Sequence, residues 1–318
     1  MPNTKQTYVS IVVSLFNEIE GVHHFWNSLK EVLNKEKHVH FELIWVNDGS
    51  TDGTQEVIDQ IRKESVFDNV DMVSIEFSKN FGHESAMIAG IDHASGNAII
   101  CIDSDGQHPP EEIPKMITLY NEGNDIVLMQ RLLREDNSFL KQKFSAFFYR
   151  MINALSAIKF EENSTDFFLI SKQIKGILKS NFRDQSRFIR GFIQSVGFSK
   201  KIITFTAPAR LYGESHYSYL SLLKLSINAI FSFSNKPLRI SIFLSILFVL
   251  FTTGMIGYTT YTYLYGSEAP SGYNTIIIFM SASFSILFIT LSILSLYFEK
   301  IIQEIRKRPI YIIKQKND

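Results

Sequence analysis

The chain has 318 residues, 45% of them hydrophobic, with 32 basic and 32 acidic side chains. Zero net charge leaves a nucleic-acid binder without an electrostatic footprint, and the supply of Leu, Ile, Val and Phe excludes wholesale disorder. A single cysteine, Cys101, excludes an internal disulfide and a multi-cysteine zinc site.

Residues 8–15 (YVSIVVSL) are β-branched and almost continuously apolar, as a buried parallel strand should be. Residues 17–33 follow with helical spacing. Residues 41–46 (FELIWV) predict a second strand, 54–63 a helix, 70–77 a third strand and 82–94 a helix. Residues 97–102 predict a fourth strand, in which Cys101 is a packed thiol. Residues 111–122 predict a helix with Pro109 and Pro110 at its entrance, and 125–129 a fifth strand. This alternation predicts an α/β fold with a mostly parallel sheet, and ligands at the carboxyl ends of its strands.

The C-terminal part is different. In residues 217–233, Leu220, Leu223, Ile227, Ile230 and Phe231 recur at helical spacing, with Ser221, Lys224 and Asn228 between them. That predicts an amphipathic helix, either in a membrane interface or packed on the soluble part. Residues 240–267 and 269–298 are uncharged runs of 28 and 30 residues. Each exceeds the roughly 20 residues that cross a bilayer; the other reading is a pair of buried core helices. Neither run is N-terminal, so neither is a signal peptide. Lys224, Lys236 and Arg239 precede the runs. Lys300, Arg306, Lys307, Arg308, Lys314 and Lys316 follow them, whereas the loop near 266–273 carries only Glu268. The asymmetry predicts both ends in the cytoplasm. Tyr258, Tyr261, Tyr263 and Tyr265 sit near the outer end of the first run, as interfacial aromatics do. The predicted organisation is a catalytic domain over 1–215, a juxtamembrane helix over 216–238, two spans within 239–299 and a basic tail over 300–318.

The dinucleotide, P-loop, zincin and nucleophile-elbow signatures (GxGxxG, GxxxxGK[ST], HExxH, GxSxG) are absent from the sequence. The polar motifs fall instead at the predicted strand ends. The fourth strand runs into Asp103-Ser104-Asp105-Gly106-Gln107-His108-Pro109-Pro110. Alternate residues leaving a strand share a face, so Asp103, Asp105 and Gln107 can present oxygens together, a hard donor set suited to Mg2+ or Mn2+. A polar turn capping the next helix is the plainer alternative. The second strand ends in Asn47-Asp48-Gly49-Ser50-Thr51-Asp52-Gly53-Thr54, placing Asp48 where it can accept from a base or ribose. Ser50 and Asp52 are read as caps of the following helix. Glu18 lies at the same edge.

These motifs resemble those of family-2 glycosyltransferases of the GT-A fold. Nearly the whole chain resembles the polyprenyl-phosphate glycosyltransferases, especially the bactoprenol glucosyltransferases of O-antigen (lipopolysaccharide) modification. The matching pieces, in order, are FNE (16–18), VNDGSTDGT (46–54), SKNFG (78–82), AGIDHASGNAII (89–100), DSDGQHPPE (103–111), Thr165-Asp166-Phe167, Arg187-Phe188, RLYGES (210–215), FSFSNKPLRI (231–240) and RPIYII (308–313).

The resemblance implies attack by a polyprenyl (undecaprenyl) phosphate on C1 of a nucleotide-activated sugar, with inversion, on the cytoplasmic face of a bacterial inner membrane. It implies that Glu18 and Asp48 hold the nucleoside. Asp103, Asp105 and Gln107 would hold the metal, Arg131 would face the phosphates, and Asp166 would sit beside the reacting centre. Arg210 and Ser215 would meet the lipid phosphate, and a homo-tetramer is implied as well. Two phosphates must approach each other, which asks for cations on the acceptor side; Arg187, Arg134 and Lys141 are the further candidates by sequence. The acceptor phosphate has a second pKa of about 6 and is largely dianionic at neutral pH. Asp166 is therefore read as an orienting or electrostatic residue before a base.

The chain departs from the pattern at His83 (usually Lys), His108 (usually Asp), Phe168 (usually Arg) and His216 (usually Lys or Arg), and its second apolar run is serine-rich where relatives are glycine-rich. UDP-glucose is the expected donor. UDP-N-acetylglucosamine, UDP-galactose, a UDP-aminoarabinose derivative, GDP-mannose, or a non-catalytic binding protein on the same fold are the alternatives.

Overall fold

The computed structural model describes residues 7–65, 67–132, 161, 164–185, 187–206, 236–265 and 272–317. The predicted amphipathic helix, and Arg134, Lys141, Arg210, Ser215 and His216, lie outside the described residues. The chain divides into two compact units, one holding a sheet and its helices, the other two long apolar helices.

The first unit is an eight-stranded mixed sheet. In chain order it contains β1 (Thr7–Leu15), α1 (Ile19–Lys35), β2 (Val39–Asn47), α2 (Thr54–Glu64), β3 (Val70–Phe77), α3 (His83–His93) and β4 (Ala98–Asp103). A 3-10 turn (Pro110–Glu112) then leads into α4 (Ile113–Asn121) and β5 (Ile126–Arg131). Next come β6 (Ser164–Ser171), α5 (Lys172–Asn181), α6 (Ile189–Ser195), β7 (Lys200–Phe205) and finally β8 (Ile313–Asn317). The strand order is β7-β5-β6-β4-β1-β2-β3-β8. Four neighbouring pairs are parallel and three, each involving β6 or β8, are antiparallel.

The central strands are apolar because both their faces are covered. In β1, Val9, Ile11, Val12 and Val13 are at most 1% exposed. On α1 the buried residues Val22, Phe25, Trp26, Leu29, Val32 and Leu33 recur every three or four positions and lay one stripe on the sheet. Phe25 and Trp26 meet Trp45 of β2 edge-on, with centroids 6.1 and 6.2 Å apart. Each such side chain contributes about 1.5–3 kcal/mol by leaving water. Cys101 is buried in β4, as its apolar neighbours predict.

Two features correct the expected organisation. β6 and β7 extend the predicted alternation, and β6 runs antiparallel, so its first residues reach the same sheet edge as the last residues of β1, β2, β4 and β5. The end of the basic tail is also a strand. β8 pairs antiparallel with β3 and takes up the backbone groups that edge would otherwise expose. Its sequence, IKQKN, carries no apolar pattern because it adds backbone pairing rather than core.

The second unit contains α7 (Lys236–Tyr265) and α8 (Tyr273–Ile305). Both include stretches long and apolar enough to cross a membrane: Leu238–Thr262 has mean hydropathy 2.2 and Ile278–Ile305 has 2.0. Their side chains are almost all exposed, which is unlike the buried core helices of the alternative reading. Phe248 and Phe251 of α7 each lie 6.0 Å from the ring of Phe279 on α8. The serines of α8 donate to carbonyls one turn back, as Ser283 does to Phe279 (2.6 Å) and Ser292 to Phe288 (2.8 Å), which satisfies hydroxyls that hydrocarbon could not.

Candidate active site

The loops at the carboxyl edge of the sheet are tied to one another. Asn17, at φ 53°, follows β1. Its N–H donates to Ser50 Oγ (2.9 Å), and its Oδ1 accepts from the Thr51 N–H (2.9 Å). Asp52 caps two helices. Oδ1 accepts from the amide and hydroxyl of Thr54 (3.1 and 2.6 Å), and Oδ2 from the Ile19 N–H (3.1 Å). Partial burial would raise its pKa, but these hydrogen bonds outweigh burial and hold it below the usual carboxylate value. Gly49, at φ 68°, is required here: a Cβ would fall 2.3 Å from the carbonyl carbon of Lys79. The β2–α2 and β3–α3 loops touch through it.

Asp48 and Arg187 both hold the loop that leads into α3. Asp48 is 2% exposed, and its two oxygens accept from the amides of Phe81 (2.7 Å) and Gly82 (2.9 Å), just ahead of α3. Burial still raises its pKa overall. Arg187 donates to the Phe81 carbonyl (3.0 Å) and to Ser85 Oγ. It braces the same loop. Glu18 precedes α1, and its carboxylate folds back over Gly21 beside the Ser104 carbonyl.

The carboxylates converge at β4 and β6. Ser14 pairs with Asp103 across β1 and β4, and continuing the β4–β6 register by two residues sets Asp166 opposite Asp103. His83, the first residue of α3, stands over both. Its Nε2 lies 3.5 Å from Asp103 Oδ1 and 3.6 Å from Asp166 Oδ2, and Ser14 Oγ lies 3.0 Å from its Nδ1. One ligand atom from each of His83, Asp103 and Asp166 falls within 4.8 Å of the other two. Burial alone would lower the His83 pKa, but Asp103, Asp166 and then Glu84 overcome it and push it up to about 10. Asp166 is also paired with Arg190, Nε to Oδ1 at 3.0 Å. Despite burial, Arg190 and His83 hold it well below the usual carboxylate range.

The rest of the DSDGQH motif is divided by its contacts. Asp105 Oδ1 accepts from the Gln107 N–H (3.0 Å). Gln107 Oε1, expected among the metal ligands, accepts from Arg131 Nη2 (2.8 Å) and so anchors that guanidinium. His108 is 3% exposed and its ring lies 5.4 Å from that of Phe167. Its Nδ1 lies 3.1 Å from the Asp103 backbone nitrogen and 3.4 Å from Asp103 Oδ2. Burial lowers its pKa, against the pull of Asp103, Asp105 and Asp166. Phe168 is fully buried. Two departures from the family pattern are thus core positions. Arg190, and His83 as a partner of the carboxylates, are site residues the motifs did not single out. The only sequence hint of Arg190 is its spacing of three from Arg187.

Residues 10–190 match the family description "Glycosyl transferase family 2". Among curated proteins, the chain is 34% identical to the uncharacterized glycosyltransferase YkcC of Bacillus subtilis over 96% of this chain and 93% of that protein. It is 33% identical to the SfII prophage-derived bactoprenol glucosyl transferase of Shigella flexneri, over 96% and 97%. It is 34% identical to the prophage bactoprenol glucosyl transferase homolog of Escherichia coli, over 96% and 98%.

Proposed function

This chain belongs to glycosyl transferase family 2, and from that membership we propose that it transfers a sugar, glucose from UDP-glucose, to polyprenyl (undecaprenyl) phosphate at the cytoplasmic face of a bacterial inner membrane. The observation that carries this reading is the meeting of Asp103 and Asp166, 63 positions apart in sequence, under His83 at one sheet edge. The relatives named bactoprenol glucosyl transferases point to the lipid acceptor. The two apolar helices support a membrane site. Because β8 follows α8 yet pairs with β3, the chain returns to the sheet it left, as a hairpin of two spans requires.

The donor set fits a divalent cation. Asp103 and Asp105 offer hard oxygens at the end of β4, and Asp166 and His83 lie close to Asp103. A bound Mg2+ or Mn2+ there supplies a counter-charge for the diphosphate leaving group. Arg131, fixed by Gln107, adds a cation at the same edge. Asp166, kept ionised by Arg190, orients and stabilises positive character at C1 and takes no proton from an acceptor that is already dianionic. Glu18 is assigned to the nucleoside. Arg134, Arg210 and Ser215 are assigned to the acceptor phosphate. The assembly is assigned as a homo-tetramer.

Membranes holding the protein, undecaprenyl phosphate, and Mg2+ or Mn2+, given each radiolabelled UDP- and GDP-sugar in turn, test the reading. Label from UDP-glucose should move into organic extract. Label from another donor alone would reassign the sugar, and none from any donor would leave a binding protein.

A further inference from the structure

A concavity of about 440 Å3 lies along the same sheet edge, lined by the loops after β1 and β2 and the end of β3. Its lining includes Phe16 and Gly49 from the β1 and β2 loops, Glu76 and Lys79 from the end of β3, and Lys314. Lys314 belongs to β8, which the chain reaches only after both apolar helices.

Three observations fix this residue in place. The Tyr311 ring stacks on Phe77 at 5.3 Å, and its hydroxyl donates to Asp92 Oδ2 (2.8 Å), which Arg183 also binds (2.7 Å). The Ser78 N–H donates to the Ile312 carbonyl (3.0 Å). In the ladder, Glu76 opposes Gln315 and Phe77 opposes Ile313, so Lys314 is the extra residue of a bulge. Bulges re-aim side chains and recur beside active sites. Here the ammonium lies 2.6 Å from Glu76 Oε1, and the Lys314 side chain is 61% exposed.

The strand order gives the pocket its meaning. From β4, with the diphosphate-facing carboxylates, the sheet runs β1, β2, β3, β8. At about 4.8 Å per strand, β3 lies about 14 Å from β4, so a nucleotide whose phosphates sit at Asp103 and Asp105 extends its base toward β3 and β8. We infer that the C-terminal strand completes the nucleoside end of the donor pocket, with Lys314 donating to base or ribose oxygens. This rests on the proposed nucleotide-sugar reading.

The test is UDP binding, in the presence of Mn2+, by the full chain in nanodiscs. Lys314→Met should weaken UDP binding about tenfold, the scale of a lost hydrogen bond from a charged donor, and Lys314→Arg should recover most of it. The double exchange Glu76→Lys with Lys314→Glu keeps an ion pair, and with it the melting temperature, but should bind UDP as poorly as Lys314→Met. Wild-type affinity in Lys314→Met or in the exchange would reduce β8 to an edge cover and overturn the inference alone. A wild-type chain that binds neither UDP nor GDP would overturn the donor reading and this inference with it.

Discussion

Arg190 Nε lies 3.0 Å from Asp166 Oδ1, joining the first turn of α6 to the start of β6. Arg190 also donates to the Ser164 carbonyl (3.1 Å), so one guanidinium fixes both the backbone and the charge of that strand end. Neither side chain of the pair is more than 25% exposed. Arg190→Gln should therefore destabilise the protein by about 2 kcal/mol, since it takes from a largely desolvated carboxylate the nearer of its two cationic partners, Arg190 at 3.0 Å against His83 at 3.6 Å. A chemical-denaturation midpoint unchanged from wild type would show that the pair is not a structural element.

Asp105 Oδ1 accepts from the Gln107 amide within the same turn, beyond the end of β4. Asp105→Ala should leave thermal unfolding as in wild type and lower sugar transfer at least a hundredfold, the scale of a lost electrostatic stabiliser. Near-normal turnover would sink the assignment of the cation to the DSD segment.

What could be read from residues alone follows from what each element must do. β1, β2 and β4 are legible because a strand covered on both faces must be apolar. β8 is not legible, because an edge strand of lysine and glutamine needs only its backbone. At the site, the DSD segment announces itself by following an apolar strand. The Asp166–Arg190 pair does not, because β6 and α6 are brought together by the sheet and no local spacing records it. His108 and Arg187 show that a polar motif does not by itself say where its side chains go. Both sit in polar motifs, yet one packs against Phe167 and the other holds the Phe81 carbonyl.

Asp52 gives a pH signature away from the carboxylate cluster. Its folded pKa is depressed, so the stability it adds is present above the unfolded value, near 4, and is lost as pH falls through the lower folded value. Asp52→Ala should cost about 1 kcal/mol or more at pH 7, since both α1 and α2 lose a cap. The gap between wild type and variant, followed by thermal unfolding from pH 7 to pH 3, should narrow on the acid side. A gap that stays constant would mean the carboxylate charge plays no part.

Gly49 joins the two loops that carry Ser50 and Lys79. With φ at 68° and backbone atoms of Lys79 and Asn80 where a Cβ would go, Gly49→Ala has no soft neighbour to push aside. It should lower stability by about 1–3 kcal/mol and weaken UDP binding as well. Wild-type binding in a destabilised variant would separate the loop contact from the donor pocket.

The pairing of Ile75 with Lys316 bears on topology. A strand that follows α8 can join the sheet that precedes α7 only if the chain crosses the bilayer an even number of times. Cys101, fully buried, leaves a low background for thiol labelling. In spheroplasts of a Gram-negative host, Pro270→Cys, in the short segment between the apolar runs, should react with a membrane-impermeant maleimide. Lys316→Cys, on the exposed face of β8, should react only after permeabilisation. Labelling of Lys316→Cys in intact spheroplasts would place β8 outside. The catalytic sheet would then lie outside with it, where cytoplasmic nucleotide-sugars do not reach, so this single result would remove the donor side of the proposed reaction as well as the hairpin.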